Sequence, residues 1–167
     1  MNWTVFVSVP LGLSEVLAQE ISRLLELPRE RLHVDRTGVR LHTDALGVMR
    51  LNLHSRLAQR IHIEVAHVPY RKEDDIYEAA KAIRWEEWFT PRQRFRIDVT
   101  AQRCPLKSIH FAALRMKDGL VDRFRDRTGQ RPDVETHRPD VRLHLHLMED
   151  RLQMPVDTSG EALFKRG

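Results

Sequence analysis

The stretch Trp3-Thr4-Val5-Phe6-Val7-Ser8-Val9 puts Trp3, Val5, Val7 and Val9 on one side of an extended chain, the period-two pattern of a strand with one buried face. Working outward from it, Leu17, Ile21, Leu24 and Leu25 recur at helical spacing behind Ser14, a residue suited to cap a helix. Leu32 and Val34, a turn at Thr37 and Gly38, then Val39 and Leu41 predict a hairpin. Leu46, Met49, Leu53 and Leu57 predict a second helix with that face buried, and Ile61, Ile63 and Val65 a further strand.

The order β-α-β-β-α-β is that of a ferredoxin-like sandwich, in which two helices cover one face of a four-stranded sheet. This unit is assigned to residues 1–68. Pro69 and the charged run Arg71 to Asp75 interrupt the pattern and mark a boundary, leaving residues 69–167 as a second unit.

The second unit opens with a short helix bearing Ile76, Ala80 and Ile83, and the rings of Trp85, Trp88 and Phe89 follow it as core anchors. Phe95, Ile97, Val99 and Ala101 then alternate with Arg94, Arg96, Asp98 and Thr100, a strand with a partly basic outer face. A loop at Cys104 and Pro105 leads to the longest helix, about Lys107 to Arg127, with Ile109, Ala113, Met116, Leu120 and Phe124 on its core face. A hairpin closes the chain: Val141, Leu143, Leu145 and Leu147, a turn at Glu149 and Asp150, then Leu152, Met154 and Val156. Pro155 predicts an edge position for its last strand. The expected fold class is therefore α+β.

Composition narrows the function classes. With 41% apolar and 31% charged residues, the 167-residue chain has the makings of a packed core. Its single cysteine, Cys104, excludes an intrachain disulfide, and cytoplasm is the expected compartment. No apolar stretch approaches the roughly 18 residues that span a bilayer. The run from Trp3 to Leu13 has no basic residue before it and is broken by Pro10, Gly12 and Glu15, so it reads as a strand and not as an export signal.

The net charge of +4 is unevenly spread. Between Arg92 and Arg131 stand 11 basic against 4 acidic residues. Such a surplus suits a polyanion through counterion release, and a solvated helix face fits the charge count equally. Within it, Lys107, Phe111 and Arg115 are four apart, a helical column with a ring between two cations that suits a stacked base and its phosphates. Packing of Phe111 against the neighbouring unit fits the same spacing. Arg94 and Arg96 share one side of their strand. If strand and helix begin at one edge of the sheet, Arg94, Arg96, Arg103 and Lys107 line one phosphate-binding surface, aided by the helix start near Ser108.

Catalytic and cofactor signatures are missing from the sequence. His144 and His146 share a strand face, but no third ligand follows in a metal-binding pattern, and they read as the strand's polar side. Asp74, Asp75, Glu86 and Glu87 are explained by solvation. There is no GxSxG, and Cys104 has no adjacent base. Glycines at 12, 38, 47, 119, 129, 160 and 167 never form GxG, no Walker lysine exists, and no Pro-Pro pair supplies the motif expected for methylation of an exocyclic base amine. The chain is expected to hold no catalytic residue, metal or cofactor of its own.

Several segments together resemble a known family. They are Pro10-Leu11-Gly12-Leu13 with Glu15, Ser55-Arg56-Leu57-Ala58 with Arg60-Ile61, and Ala82-Ile83 with Trp85. They continue through Phe111 to Asp118, Val121-Asp122-Arg123-Phe124, Arg131-Pro132, Pro139-Asp140 with Arg142, Asp157, Ser159-Gly160-Glu161 and Arg166-Gly167. In order and spacing the chain is similar to the N-terminal part of bacterial 23S ribosomal RNA guanine-N2 methyltransferases: a ferredoxin-like unit, then a THUMP domain with a mixed sheet and flanking helices. The resemblance implies an RNA-capturing module, with rRNA ahead of tRNA as its partner. It also implies a following catalytic domain that uses S-adenosylmethionine and lies beyond Arg166-Gly167. RNA contacts are then expected at Arg94, Arg96, Arg103, Lys107, Phe111 and Arg115. The sequence departs from the family at Ser108 and Ile109, where two polar residues are usual.

Overall fold

In a computed structural model the chain is described from residue 2 to residue 158; the resembling segments at Ser159 to Glu161 and Arg166-Gly167 lie outside the described residues. Packing divides those residues into two units, residues 2–64 with Asp157 and Thr158, and residues 65–156.

The first unit contains β1 (Trp3–Ser8), α1 (Ser14–Leu25), β2 (His33–Asp35), β3 (Gly38–Thr43), α2 (Ala45–His54) and the first half of β4 (Arg60–Pro69). Its strands run in the order β2-β3-β1-β4, each antiparallel to its neighbour. Val5, Val7, Val39, Leu41, Ile61 and Ile63 fill the core with Leu17 and Ile21 of α1 and Val48 and Leu51 of α2. The β2–β3 turn is held by Asp35, whose carboxylate accepts from the Thr37 and Gly38 amides and the Thr37 hydroxyl.

Two local expectations for this unit are corrected. Ser14 does not cap α1: it is the first helical residue, it is buried, and Leu13 occupies the cap position without a side-chain hydrogen bond. The face of α2 turned inward is Gly47, Val48 and Leu51, while Leu46, Met49 and Leu53 are 56%, 40% and 72% exposed. Apolar residues surround this helix, so periodicity alone selects no face. The choice is made by Asp44, which accepts from the Gly47 amide at 3.0 Å, and by Gly47 itself, whose missing Cβ admits Thr43.

The second unit comprises the remainder of β4, α3 (Glu73–Ala82), a 3-10 turn at Trp85–Glu87, β5 (Phe95–Ala101), α4 (Ile109–Thr128), β6 (Val141–Leu147) and β7 (Arg151–Asp157). Its strand order is β4-β7-β6-β5, with β5 parallel and β7 antiparallel to β6. The class is α+β with a mixed sheet. Arg71 to Asp75 form the start of α3, where the Asp75 carboxylate accepts from the Arg71 and Lys72 amides at 2.9 and 3.1 Å. Trp85, Phe89, Phe95 and Phe124 are fully buried, and Phe89 meets Phe124 edge-on with ring centroids 4.9 Å apart. Where α3 and α4 cross, Gly119 lets the backbone of Tyr77 approach; a Cβ there would lie 2.9 Å from that of Ala80.

Here too the structure revises two expectations. β7 is not an edge strand despite Pro155, because it lies between β4 and β6. Full burial of Leu152, Met154 and Val156 outweighs the single donor that proline removes from the ladder. In α4, Ile109 is 40% exposed and Ala113 only partly buried; Ala112, Met116, Leu120, Val121 and Phe124 form the core face. The helix begins at Ile109, and its buried face starts at Ala112.

Candidate nucleic-acid interface

β5 and α4 position all six residues singled out by charge and spacing. Arg94 and Arg96 stand at the start of β5, Arg103 and Lys107 in the loop after it, and Phe111 and Arg115 in the first two turns of α4. A strand advances about 3.3 Å per residue, so seven residues put Arg103 roughly 20 Å along the chain from Arg96. Strand and helix therefore do not begin at one edge: Arg94 and Arg96 stand at one end of β5, and Arg103 and Lys107 follow its other end on the way to α4.

Arg96 and Arg115 have their charges matched by carboxylates, and Arg94 is held through its backbone alone. The Arg94 backbone is fixed by Asp140, whose carboxylate accepts from its amide at 2.8 Å. The Arg96 guanidinium donates to Asp98 at 2.8 Å and to the Thr136 carbonyl at 2.7 Å. Arg115 is more deeply engaged: it reaches Asp74 and Asp118, both at 3.2 Å, and lies 4.5 Å from the centroid of the Tyr77 ring. Tyr77 in turn donates to Asp122, which holds its hydroxyl above the usual phenol range. Of these partners Asp118 is one helical turn along α4, whereas Asp74 and Tyr77 sit on α3, far away in the chain, and spacing gives no signal of those two.

Among the described residues, the side chains of Arg103 and Lys107 have no ion-pair or hydrogen-bond partner. Both are exposed. Arg103 also adopts φ 57°, a left-handed backbone that is uncommon outside glycine and costs of the order of 1 kcal/mol or more. The loop is anchored behind it. The Gln102 amide donates to the Leu147 carbonyl at 2.8 Å, the Cys104 sulfur accepts from the Leu106 amide at 3.4 Å, and the Tyr70 hydroxyl, 3.4 Å from that sulfur, donates to the Met148 carbonyl. Burial pushes the Tyr70 hydroxyl pKa up, so it remains a donor. Ser108 then caps α4 by accepting from the Phe111 amide at 3.1 Å, and the Phe111 ring is 46% exposed. The arrangement offers two unneutralised cations and one open ring on a held loop and helix start. It contains no nucleophile paired with a base.

His144 and His146 alternate with buried Leu143, Leu145 and Leu147 and lie on the polar side of β6. The Thr100 hydroxyl is 2.8 Å from His144 Nε2 and 2.7 Å from His146 Nδ1. Among the described residues no three His, Cys, Asp or Glu side chains are grouped to hold a metal, and no helix is long and apolar enough to cross a membrane.

Comparisons with known proteins find relatives of both units. The family described as the RlmL ferredoxin-like domain matches residues 4–62. The "Ribosomal RNA large subunit methyltransferase K/L" of Syntrophotalea carbinolica is 36% identical over 162 residues, which are 97% of this chain and 22% of that protein. The "Putative RNA methyltransferase slr0064" of Synechocystis is 34% identical over 97% of this chain and 41% of its own length. The chain thus spans between about a fifth and two fifths of these relatives. TrmN from Thermus thermophilus shares the fold, with a TM-score of 0.73 at 22% identity over 99% of this chain and 48% of that one. With a match to the THUMP domain running from residue 70 to residue 157, over β5 and α4 and the loop between them that carries the exposed cations, the chain belongs to the THUMP family.

Proposed function

We propose that this chain captures RNA for an S-adenosylmethionine-dependent methyltransferase domain that follows it in the parent protein, with ribosomal RNA as the substrate and the cytoplasm as the compartment. In this reading residues 1–68 form the ferredoxin-like domain and residues 69–167 the THUMP domain. The observation that carries it is the pair Arg103 and Lys107, unneutralised beside the open Phe111 ring. Phosphates bind at the two cations, and the ring takes a base or sugar edge. Arg115 orders the helix behind them through Tyr77 and Asp74, and Arg94 and Arg96 extend the contact towards the far end of β5. S-adenosylmethionine is assigned to the methyltransferase domain of the parent enzyme, and no residue of this chain is assigned to it.

The double reversal Arg103→Glu/Lys107→Glu tests the reading by filter binding to an rRNA fragment at two salt concentrations. Removing two phosphate contacts is expected to weaken binding and to lower the slope of log affinity against log salt by about 1.5 to 2. An unchanged slope overturns the assignment. Equal affinity for a tRNA transcript would favour a tRNA-modification module, and no RNA affinity near physiological salt would favour a protein-docking one.

A further inference from the structure

The first unit has a face that the cations of the second do not involve. Cross-strand partners place His33, Arg40, Phe6 and His62 in one row: His33 pairs with Arg40, Arg40 with Phe6, and Phe6 with His62. Directly paired residues project on the same side of a sheet. Their strand neighbours Val5, Val7, Val39 and Leu41 are buried on the other side in the core shared with α1 and α2, so the row lies on the face turned away from the helices. Phe6 occupies its middle, on a central strand. The Arg40 guanidinium is 5.6 Å from its ring centroid. A Cβ at Gly38 would come within 3.0 Å of Phe6 Cζ, so the glycine leaves the floor on which the ring rests.

We propose that this face stacks unpaired nucleotides, with the Phe6 ring as the platform and the Arg40 guanidinium and His62 imidazole as flat neighbours. A four-stranded sheet backed by two helices, with an aromatic on a central strand, is a geometry by which proteins take up splayed single-stranded bases. The charge pattern selects the occupant. Arg40 is paired with Glu64 at 3.4 Å and Arg60 with Asp157 at 2.8 Å, so the arginines of the face are matched by carboxylates. A duplex, read mainly through its phosphates, finds little there. A row of π surfaces accepts any base, because every base has a π face. The proposal stands whether or not the second unit grips RNA.

The test uses the full chain and a short single-stranded RNA carrying 2-aminopurine, whose fluorescence is quenched by stacking. Unsubstituted protein is expected to quench it, Phe6→Leu to abolish the quench and raise Kd about tenfold, and Phe6→Tyr to retain both. Arg103→Glu/Lys107→Glu is expected to quench at saturation like the parent chain. Unchanged quenching in Phe6→Leu, or equal loss in Phe6→Tyr, overturns the proposal. As a check that needs no variant, a strand containing 5-bromouracil is irradiated on the unsubstituted protein. Crosslinks to a peptide holding Phe6 or His62 support the inference, and crosslinks confined to residues 65–156 overturn it.

Discussion

The two units of this chain use the same residue types in opposite ways. The second buries its rings, with Trp85, Phe89, Phe95 and Phe124 in one core, and leaves arginines and lysines at the surface. The first builds its core from aliphatic residues and leaves Phe6 half-buried on an open sheet face, where the nearby arginines are already paired. An aromatic inside a core contributes stability, whereas one on a face is available to a partner. An arginine matched by a carboxylate shapes a surface, whereas an unmatched one draws anions. The difference predicts salt-steep binding from the second unit and salt-shallow binding from the first.

The largest expected effect probes the buried rings. Phe124→Ala removes a fully buried side chain that meets Phe89 edge-on, and it should cost about 3–5 kcal/mol in urea denaturation. Phe6→Leu should cost under about 1.5 kcal/mol in the same measurement, because its ring is only half-buried and leucine refills much of the volume. Similar losses for the two would erase the contrast and make Phe6 a core residue.

Second in size is a polar anchor of the first unit. The Glu20 carboxylate, 8% exposed, accepts from the Ser55 hydroxyl and, at 3.1 Å, from the Arg56 amide, while the Ser55 oxygen accepts from the Ala58 amide. This explains why Ser55-Arg56-Leu57-Ala58 appears as a unit in the resembling segments: it is a loop closed on a buried acid. Glu20→Ala removes the shared acceptor of two part-buried donors and should cost about 1–3 kcal/mol by thermal or urea unfolding. Glu20→Gln keeps an acceptor and should cost less. If glutamine is as damaging as alanine, charge rather than acceptor capacity holds the loop.

The folds of both units were legible because their strands alternate strictly and their helices recur at three and four. What was not legible depended on neighbours distant in the chain. The inward face of α2 is set by Gly47 against Thr43, not by its leucines. Central placement of β7 follows from its pairing, which Pro155 obscured. At the candidate interface the basic surplus was visible, but its partial neutralisation was not: Arg115 meets Asp74 across 41 positions and Arg123 meets Glu86 across 37. Subtracting such pairs leaves Arg103 and Lys107 among the exposed cations that no carboxylate matches.

The Arg123 pair gives the next prediction in size. Arg123 donates to Glu86 at 2.9 and 3.2 Å with both side chains mostly covered, tying α4 to the turn that carries Trp85. Arg123→Met should cost about 1 kcal/mol in urea unfolding and leave the salt slope of RNA binding unchanged. A fall in that slope would place Arg123 among the RNA contacts and widen the interface beyond the loop after β5.

The smallest expected effect tests whether the units also differ in their turns. Asp35 in the first and Asp75 in the second are both held below the usual carboxylate range, Asp35 chiefly by the Thr37 hydroxyl and Asp75 by the Arg71 and Lys72 amides. A carboxyl whose folded pKa lies below its unfolded value adds stability that is fully present above the unfolded value and disappears as pH falls through the folded one. Both contributions should therefore be complete at neutral pH and fade below about pH 4. Asp35→Asn and Asp75→Asn should each cost about 0.5–1 kcal/mol at pH 7 and less at pH 2.5, read from urea midpoints at the two pH values. Matching behaviour would mean that the units fix their turns by the same chemistry and differ only in the faces they turn outward. A loss in Asp75→Asn that is undiminished at pH 2.5 would instead mean that packing around the start of α3, and not the carboxylate charge, holds that turn.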